Sequence, residues 1–341
     1  MVKYVFWNNK GGTGKTSLAF QVICEYAFKH NNHQILAIDI CPQANLSELM
    51  LGGLHKGGSD NLLKIQGGSV RSTIGGYFQL RLPSPYSPPK INADDFITTP
   101  CLFNQNIPKN IKLLCGDPLL ELQANAISTL ANNQIPGTDT WVAIIDWLKD
   151  FVLNVDDSFD VIFIDANPSF SMYTQIAISI ADRIILPVMA DDSSRRAIQN
   201  AFSLIYGLKL PSDIYTKYAF AEKLKSAKRT LPQVNLIIKN RITQYMLSPA
   251  SAYATVLSSI EKDIKSLLKS NASIFTFKNV NDGVAVARDF QTAGVVAFAR
   301  GCPFRGLQAG RLDLLGQRVQ VKEEYLMNCL EEIENIVTRL E

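Results

Sequence analysis

Short apolar segments alternate with longer amphipathic segments along most of this 341-residue chain. The apolar segments at residues 4–7, 34–40 and 159–165 are rich in β-branched and aromatic residues, which is typical of buried strands. The first two flank an amphipathic segment, residues 18–29, that predicts a helix. Near-continuous apolar strands linked by crossover helices form parallel sheets that are covered on both faces. The pattern therefore predicts an α/β fold, with a twisted and mostly parallel sheet wrapped by helices.

The same patterns predict the remaining elements. We expect further strands at 111–115, 181–188, 234–241 and 274–277, a helical turn at 284–290, and helices at 70–82, 119–131, 140–155, 191–206, 252–270 and 319–340. The whole chain, residues 1–341, is expected to form a single domain that ends in an amphipathic helix, residues 319–341. The polar face of that last helix is acidic.

Residues 52–110 follow no such pattern. They contain four Gly-Gly pairs followed by a cluster of four prolines. Glycine pairs and prolines punctuate short helices and loops rather than long regular elements. We interpret this segment as an insertion packed on the rim of the sheet, which either contacts a partner or is a purely structural excursion.

Composition narrows the class of protein. Hydrophobic residues make up 47% of the chain and the formal net charge is only +3, so a nucleic-acid surface would have to be a local patch. The six cysteines include no C-x-x-C pair, and we expect reduced thiols in a cytosolic protein. Because the sequence has no signal segment and no run of about 18 apolar residues, we predict a cytoplasmic protein without a membrane span.

The first strand runs directly into a glycine-rich loop and the start of a helix. From Asn8 to Ser17 the sequence reads N-N-K-G-G-T-G-K-T-S. Glycines let backbone N–H groups converge on a polyphosphate, and the helix dipole adds positive partial charge. In such a loop Lys15 reaches the β- and γ-phosphates, and Thr16 offers its hydroxyl to Mg²⁺. The alternative is an ordinary glycine-rich turn before a helix.

The loop departs from the standard G-x-x-x-x-G-K-[ST] pattern, because Asn9 replaces the first glycine and a second lysine, Lys10, is present. It resembles the ParA/MinD family of deviant Walker-A ATPases, whose mark is K-G-G-x-G-K-[ST]. The resemblance implies a P-loop NTPase fold, ATP and Mg²⁺ as cofactors, and a homodimer that sandwiches ATP, with Lys10 crossing to the partner's nucleotide. Lys10 and Lys15 would also be catalytic. The nucleotide-binding residues that it implies in this loop are Lys10, Gly11, Gly12, Thr13, Gly14, Lys15, Thr16 and Ser17.

The second strand ends in D-I-C-P-Q-A-N-L-S, from Asp39 to Ser47, which resembles the family's D-x-D-P-Q-x-N-x-[ST] signature. The resemblance implies that Asp39 lies near the Mg²⁺ shell and acts in catalysis. It also implies that Gln43 belongs to a loop that senses the γ-phosphate. The alternative for Asp39 is a cap on the following helix.

The family's second acid in this signature, which helps to position the attacking water, is replaced by Cys41. A thiol is uncharged near neutral pH and accepts hydrogen bonds weakly, so it cannot orient water as a carboxylate does. Contributions of this kind are worth roughly 10²–10⁴-fold in rate. We therefore expect slow hydrolysis unless another group substitutes, whereas ATP binding need not suffer.

Two more strand ends carry candidate site residues. Asp165 fits the terminal acid of a Walker-B strand, which holds Mg²⁺ through water, although it could also be a simple loop cap. After it, Pro168 and Ser169 match the family's D-x-x-P-S, while Asn167 stands where a proline is frequent. Asn240 lies where relatives place an adenine-contacting asparagine. The expected metal-binding residues are Thr16, Asp39 and Asp165.

A basic stretch follows the helix expected at residues 191–206. Five cations interleave with aromatic residues and face one acid, Glu222. A helix that displays them could neutralise duplex phosphates, and the family resemblance favours that hypothesis. The alternative is a solvated face whose lysines cover apolar surface. The candidate DNA-binding residues are Lys217, Lys223, Lys225, Lys228 and Arg229.

These features favour a ParA-like ATPase that acts as an ATP-dependent dimerisation switch in DNA partitioning or cargo positioning. We expect non-specific binding of duplex DNA and a partner protein that stimulates hydrolysis. A second hypothesis is a hydrolysis-poor ATP-binding clamp, created by Cys41 in place of the catalytic acid. A third, iron–sulfur electron transfer, needs two cysteines at a dimer axis, but Cys101 and Cys115 lack the expected glycine-flanked setting. Membrane cycling of the MinD type is disfavoured, because an acidic C-terminal helix does not suit anionic lipid.

Overall fold

The computed structural model describes residues 1–155, 159–189, 191–242, 244–245, 248–249, 251–314 and 316–340. Its strands, in chain order, are β1 (Val2–Phe6), β2 (Ile35–Ile40), β3 (Ile111–Leu114), β4 (Val161–Ala166), β5 (Arg183–Met189), β6 (Gln233–Ile242), β7 (Gln244–Tyr245), β8 (Ser248–Pro249), β9 (Val284–Arg288), β10 (Gly310–Leu314) and β11 (Gln317–Val321). Seven of them form one sheet in the order β3-β2-β4-β1-β5-β6-β9, and every neighbouring pair in it is parallel.

Helices cover both faces of this sheet. They are α1 (Lys15–Lys29), α2 (Asn45–Met50), α3 (Gly58–Gln66), α4 (Ile74–Arg81), α5 (Leu119–Asn132), α6 (Thr140–Ile145), α7 (Trp147–Leu153), α8 (Met172–Ile180), α9 (Asp192–Tyr206), α10 (Asp213–Tyr218), α11 (Phe220–Ser226), α12 (Ser251–Ser270), α13 (Val280–Gly283), α14 (Gln291–Arg300) and α15 (Glu323–Thr338). Alternate side chains of β1 show the two layers, since Val5 joins the core beneath α5–α9 and Phe6 joins the core beneath α1, α14 and α15. The predicted α/β fold is therefore confirmed.

The segment expected to be an insertion, residues 52–110, lies against the β3 edge of the sheet. Beyond α3 and α4 it contains two single 3₁₀ turns, Ala93–Phe96 and Pro100–Leu102. Thr73 and Thr98 each form an isolated bridge with the β3 region. The short elements and loops follow from the glycine and proline content, because these residues interrupt regular hydrogen bonding.

Two predicted helices are each divided in the structure. The segment 140–155 was expected to be one helix, but Asp146 ends α6 and precedes α7. The basic stretch was expected to lie on one helix, but it forms α10, α11 and a turn in which Lys228 adopts a left-handed φ of 56°. Asp146, which lies between α6 and α7, also forms an ion pair with Arg229 of the basic stretch.

The prediction for residues 274–290 is wrong in the order of its elements. Residues 274–277 were expected to be a strand, but Ile274 ends a 3₁₀ turn and, among the described residues, the segment forms a single bridge, between Phe275 and Val234. The edge strand is β9, in the segment expected to be a helical turn. Its burial alternates, with Ala285 and Ala287 buried and Val286 exposed, which is the period of a strand.

The C-terminal helix begins later than expected. Residues 319–321, expected to be helical, belong to the antiparallel hairpin of β10 and β11, which packs against α14. The helix α15 starts only at Glu323 and buries Leu326, Ile333 and Val337. Among the described helices, none is both long and apolar enough to cross a bilayer.

Candidate functional site

The pairing of β2 with β4 brings four side chains together at the carboxyl edge of the sheet. Asp39 lies opposite Asp165 in the register of these strands, and the pairing continues for one more residue. Side chains two residues apart on a strand share a face. Cys41 and Asn167, which follow one step beyond the strands, therefore extend the face that carries the two acids.

The glycine-rich loop lies beside this edge, at the end of β1. Gly12 and Gly14 adopt left-handed φ angles of 74° and 78°, and a Cβ built on Gly14 would lie 2.2 Å from Asn240 Nδ2. No side chain caps the start of α1, and its first turn contains no acid. Such a helix N-terminus, without a side-chain cap or an acid on its first turn, suits a phosphate group.

Lys15 and Thr16, at the start of α1, point into this edge. Lys15 Nζ donates to the carbonyl oxygen of Lys10 at 3.2 Å, within the loop itself. Burial lowers the pKa of Lys15, although nearby Asp165 and Cys41 act to raise it. The Thr16 hydroxyl donates to Asp165 Oδ2 at 2.7 Å. The structure therefore brings together the P-loop lysine, the hydroxyl and the acid that the sequence predicted as one site.

The two carboxylates fit a divalent cation. Asp39 Oδ2 accepts hydrogen bonds from the backbone N–H and hydroxyl of Ser47, at 2.9 and 2.8 Å. The other oxygen of Asp39 and Oδ1 of Asp165 are buried and have no hydrogen-bond partner among the described residues. Burial raises the pKa of both acids, and the charge of Asp165 raises that of Asp39 further. Oxygen atoms left unpaired in this way are the ligands that Mg²⁺ prefers.

Cys41 sits where the resemblance expected an acid. Its Sγ donates to Gln43 Oε1 at 2.9 Å and is 3.8 Å from Asn167 Nδ2. Burial, with the charges of Asp39 and Asp165, raises the pKa of the thiol to about 12. The thiol therefore stays protonated at neutral pH and cannot serve as a base.

Lys10 makes its contacts within its own chain in this structure. Its Nζ lies 2.5 Å from Asp191 Oδ2 and 3.3 Å from Ser194 Oγ. Burial alone would raise the pKa of Asp191, but the hydrogen bonds from Lys10, Ser193 and Ser194 together lower it to about 2. Asp191 was not among the predicted site residues. It follows β5, a direct neighbour of β1 in the sheet, so its place just after a strand end could have indicated it.

A cavity of about 790 Å³ opens beside Thr16 and Ser17. Its walls come from the start of α1, from α2, from α3 and the loop before it, from the end of β6, from α14 and from β10, and they include Phe290 and Phe298. Asn240 lies at the inner end, where its Nδ2 donates to the Thr13 carbonyl at 2.8 Å. Its Oδ1 is buried without a hydrogen-bond partner among the described residues. The sequence indicated Asn240 but not this cavity, whose walls come from segments that lie far apart in the sequence.

Comparison with known proteins identifies the family. Residues 1–211, more than half of the chain, match the sequence profile of the AAA domain family. The chain belongs to that family. With the folds of the structural neighbours described next, this match supports the predicted resemblance to ParA/MinD-like P-loop ATPases. Comparison with curated protein sequences finds no match.

Solved structures with similar folds include proteins bound to ATP or to an ATP analogue. The ATP complex of an McdA variant from Cyanothece has a TM-score of 0.62 and 14% identity, and covers 100% of this chain and 96% of that chain. A putative plasmid partition protein from Borrelia burgdorferi bound to AMPPNP has a TM-score of 0.55 and 15% identity, over 100% and 99% of the two chains. Cobyrinic acid a,c-diamide synthase from Mycobacterium smegmatis, with an ATP analogue and magnesium, has a TM-score of 0.50 and 15% identity, over 77% and 82%. At these identities the likeness concerns the fold.

The cysteines of this AAA-domain chain do not provide the pair that an iron–sulfur cluster needs. Cys115 is completely buried at the end of β3, with its Sγ 3.8 Å from Thr98 Oγ1. Cys101 lies on the turn Pro100–Leu102 and is partly exposed. A cluster at a dimer axis needs both thiols at the surface, and Cys115 is not there.

The five cations of the basic stretch are in different environments. Arg229 pairs with Asp146, and Lys223 Nζ lies over the Trp141 ring, 5.3 Å from its centroid. Burial lowers the pKa of Lys223. By contrast, Lys217, Lys225 and Lys228 are exposed. The stretch therefore presents three exposed cations, together with the exposed side chains Ile214, Tyr215 and Tyr218 of α10.

Proposed function

We propose that this chain is an ATP-dependent dimerisation switch of the ParA type. ATP with Mg²⁺ would bind at the glycine-rich loop, and two subunits would then close on each other around the nucleotides. The dimer would hold duplex DNA or a cargo until hydrolysis releases it, and a partner protein would stimulate that step. Such a cycle suits a cytoplasmic role in DNA partitioning or cargo positioning.

The observation that carries this proposal is the second lysine of the loop. Lys15 already occupies the phosphate cradle of its own chain, where its Nζ lies against the Lys10 carbonyl. The Lys10 side chain points away to Asp191 at the start of α9 and is only about one-quarter exposed. A second cation beside one polyphosphate site is explained if it serves the nucleotide of a partner subunit. Closure then requires Lys10 to leave Asp191.

Nucleotide binding is supported by groups that lack partners where the nucleotide would lie. Asp39, Asp165 and Thr16 would hold Mg²⁺, which would shield the phosphate charge. The Nδ2 of Asn240 is fixed on Thr13, so its buried Oδ1 can only accept. It would take a hydrogen bond from the exocyclic amine of adenine, whereas the keto oxygen of guanine offers no donor there.

The proposed DNA binding rests on exposed lysines in the basic stretch. Lys217, Lys225 and Lys228 are exposed and lie close together in sequence, beside exposed aromatic side chains. Each phosphate that such a surface neutralises changes the log–log salt slope by about −0.9. We assign the contact to these three lysines, since Arg229 and Lys223 are held by buried or half-buried groups. Lys225 and Lys217 also have neighbours, Glu222 at 4.0 Å and the Tyr218 ring, but both contacts are exposed to solvent.

Nucleotide-dependent dimerisation tests the proposal directly. Sedimentation velocity with ATP, with ADP and without nucleotide would compare wild type with Lys10→Ala. Lys3→Ala is the matched control, because Lys3 also pairs with an acid, Asp182, at 2.9 Å but lies at the other end of β1. We expect dimers only with ATP, lost in Lys10→Ala and kept in Lys3→Ala. A wild type that stays monomeric while binding ATP would contradict the switch.

A second candidate function rests on Cys41, whose neutral thiol replaces the water-positioning acid. In that case the protein would be a long-lived ATP-bound clamp rather than a cycling switch. Steady-state ATP hydrolysis, with and without duplex DNA, separates the two when wild type is compared with Cys41→Asp. Slow turnover that rises in the variant supports the clamp. Brisk wild-type turnover that the substitution leaves unchanged supports the cycling ATPase.

A further inference from the structure

Two departures from the family pattern touch each other in the folded chain. Cys41 stands where the family has an acid, and Asn167 stands where a proline is frequent. They are 126 residues apart in sequence, yet Asn167 Nδ2 lies 3.8 Å from Cys41 Sγ. The register of β2 with β4 produces this contact, one step beyond the facing acids Asp39 and Asp165. The pair therefore lies at the same carboxyl edge of the sheet as the two acids.

The orientation of the Asn167 side chain is fixed by the groups around it. Its Oδ1 accepts the backbone N–H of Ser169 at 2.9 Å, so the amide nitrogen must face Cys41. Its own carbonyl oxygen accepts the indole N–H of Trp7 at 3.0 Å, which ties the loop after β4 to the end of β1. The residue is 8% exposed. A rigid amide donor is thus held at the site with a neutral thiol, a weak acceptor, as its partner.

A rigid amide donor at this position can hold the attacking water through a hydrogen bond to the water oxygen, although it cannot accept from the water as the missing carboxylate would. In other P-loop enzymes a glutamine amide orients the attacking water without acting as a strong base. We infer that Asn167 is the residue that positions the attacking water in this chain, in place of the acid that Cys41 replaces. This inference rests on the proposed ATPase function and adds a residue to it.

The step assigned to Asn167 is one of orientation. Its N–H donates to the water, whose oxygen forms a bond to the γ-phosphorus while the bond from that phosphorus to the β,γ-bridging oxygen breaks. The electron pair of the broken bond leaves with ADP. One proton of the water passes to a γ-phosphate oxygen and the other stays on the attacking oxygen, which gives dihydrogen phosphate. No protein base takes the proton, so turnover remains slow but does not vanish.

A double-mutant cycle tests this role. Asn167→Ala, Cys41→Asp and the double variant would be compared with wild type for kcat and KM of ATP hydrolysis. We expect Asn167→Ala to lower kcat about 100-fold in the wild-type background, the scale for losing one preorganised donor, with little change in KM. In the Cys41→Asp background the same change should have little effect, because the restored carboxylate orients the water. A merely structural role would cost the same in both backgrounds.

A second readout does not depend on turnover. Binding of a fluorescent ADP in the presence of aluminium fluoride mimics the transition state, and we expect Asn167→Ala to weaken it much more than binding of ADP alone. Thermal unfolding would verify that each variant folds. The inference is overturned if Asn167→Ala hydrolyses ATP like wild type, if both backgrounds lose equally, or if wild type shows no turnover. In each case ATP-dependent dimerisation would still report on the proposed switch, so the two failures are distinguishable.

Discussion

The carboxyl edge of the sheet, where Lys15, Asp39 and Asp165 lie, and the basic stretch of residues 213–229 differ in how their side chains are held. At the edge, Asp39 and Asp165 are almost completely buried and Lys15 is 7% exposed. In the basic stretch, α10 buries none of its side chains, and α11 buries only Phe220 and Leu224. Positions at the edge are set by strand register and loop backbone, whereas positions in the stretch are set by whichever acid or ring is nearby.

This difference separates two kinds of evidence for function. At the edge, buried polar atoms without partners indicate a ligand, because leaving them unpaired costs free energy that a bound ion or phosphate would recover. On the basic stretch, an exposed lysine costs nothing and so indicates nothing alone. The geometry therefore supports the proposed ligand site at the edge more strongly than the proposed DNA contact on the basic stretch.

The largest effect is expected at the buried edge, from Lys15→Ala. Loss of the charge-assisted hydrogen bonds to phosphate should weaken nucleotide binding by about 1.5–3 kcal/mol, roughly 10- to 150-fold. Titration with a fluorescent ATP analogue measures this change. Lys29→Ala is the control, because Lys29 ends the same helix and donates to Glu334 and Thr338, far from the loop. Equal affinity of the two variants would mean that the loop does not bind phosphate.

A smaller effect is expected from the loop backbone. Gly14→Ala places a side chain at a left-handed φ and against Asn240 Nδ2, so we expect a loss of about 1–2 kcal/mol in unfolding free energy without nucleotide. Gly11→Ala is matched to it, since a Cβ there has nothing within 4 Å. Urea denaturation compares the two variants. If both lose the same stability, the contact with Asn240 has no energetic weight.

The smallest effects are expected on the basic stretch. Lys217→Ala with Lys225→Ala should weaken duplex DNA binding and make the salt slope shallower by about 0.9 for each phosphate that the variant no longer neutralises. Arg229→Ala should change DNA binding less and instead cost up to about 1 kcal/mol of stability, because its guanidinium pairs with half-buried Asp146. Fluorescence anisotropy across a salt series measures the first effect. A slope that the double variant leaves unchanged would remove these lysines from the proposal.

Local sequence was enough to predict which side chains lie at the carboxyl edge of the sheet. Asp39 and Asp165 lie near the ends of strands with a strong apolar pattern, and parallel strands bring such ends to one edge. Lys15 and Thr16 follow the glycine-rich loop that leaves the same edge at the end of β1. The same logic predicted the α/β fold. The prediction succeeded because each of these elements is specified by neighbouring residues in the sequence and keeps its predicted form in the folded chain.

Other features depend on contacts that no local pattern carries. The sequence V-A-V-A-R of β9 suits a strand or a helix, and only its place beside β6 decides between them. The partner of Lys10, Asp191, is 181 residues away in sequence. The contact of Cys41 with Asn167 likewise needed the register of β2 with β4, although both residues were noticed in the sequence as departures.

The hydrogen bond from Asn240 to the Thr13 carbonyl has a consequence for how the protein is made. It joins residues 227 positions apart, so the ribosome makes the phosphate loop long before it makes Asn240 on β6. Domains generally fold as units while the ribosome adds residues from the N-terminus. A nascent chain that ends before β6 therefore carries the complete loop sequence without the side chain that fixes its shape. Under the proposed function, nucleotide would meet the loop in its fixed shape only after β6 has been synthesised.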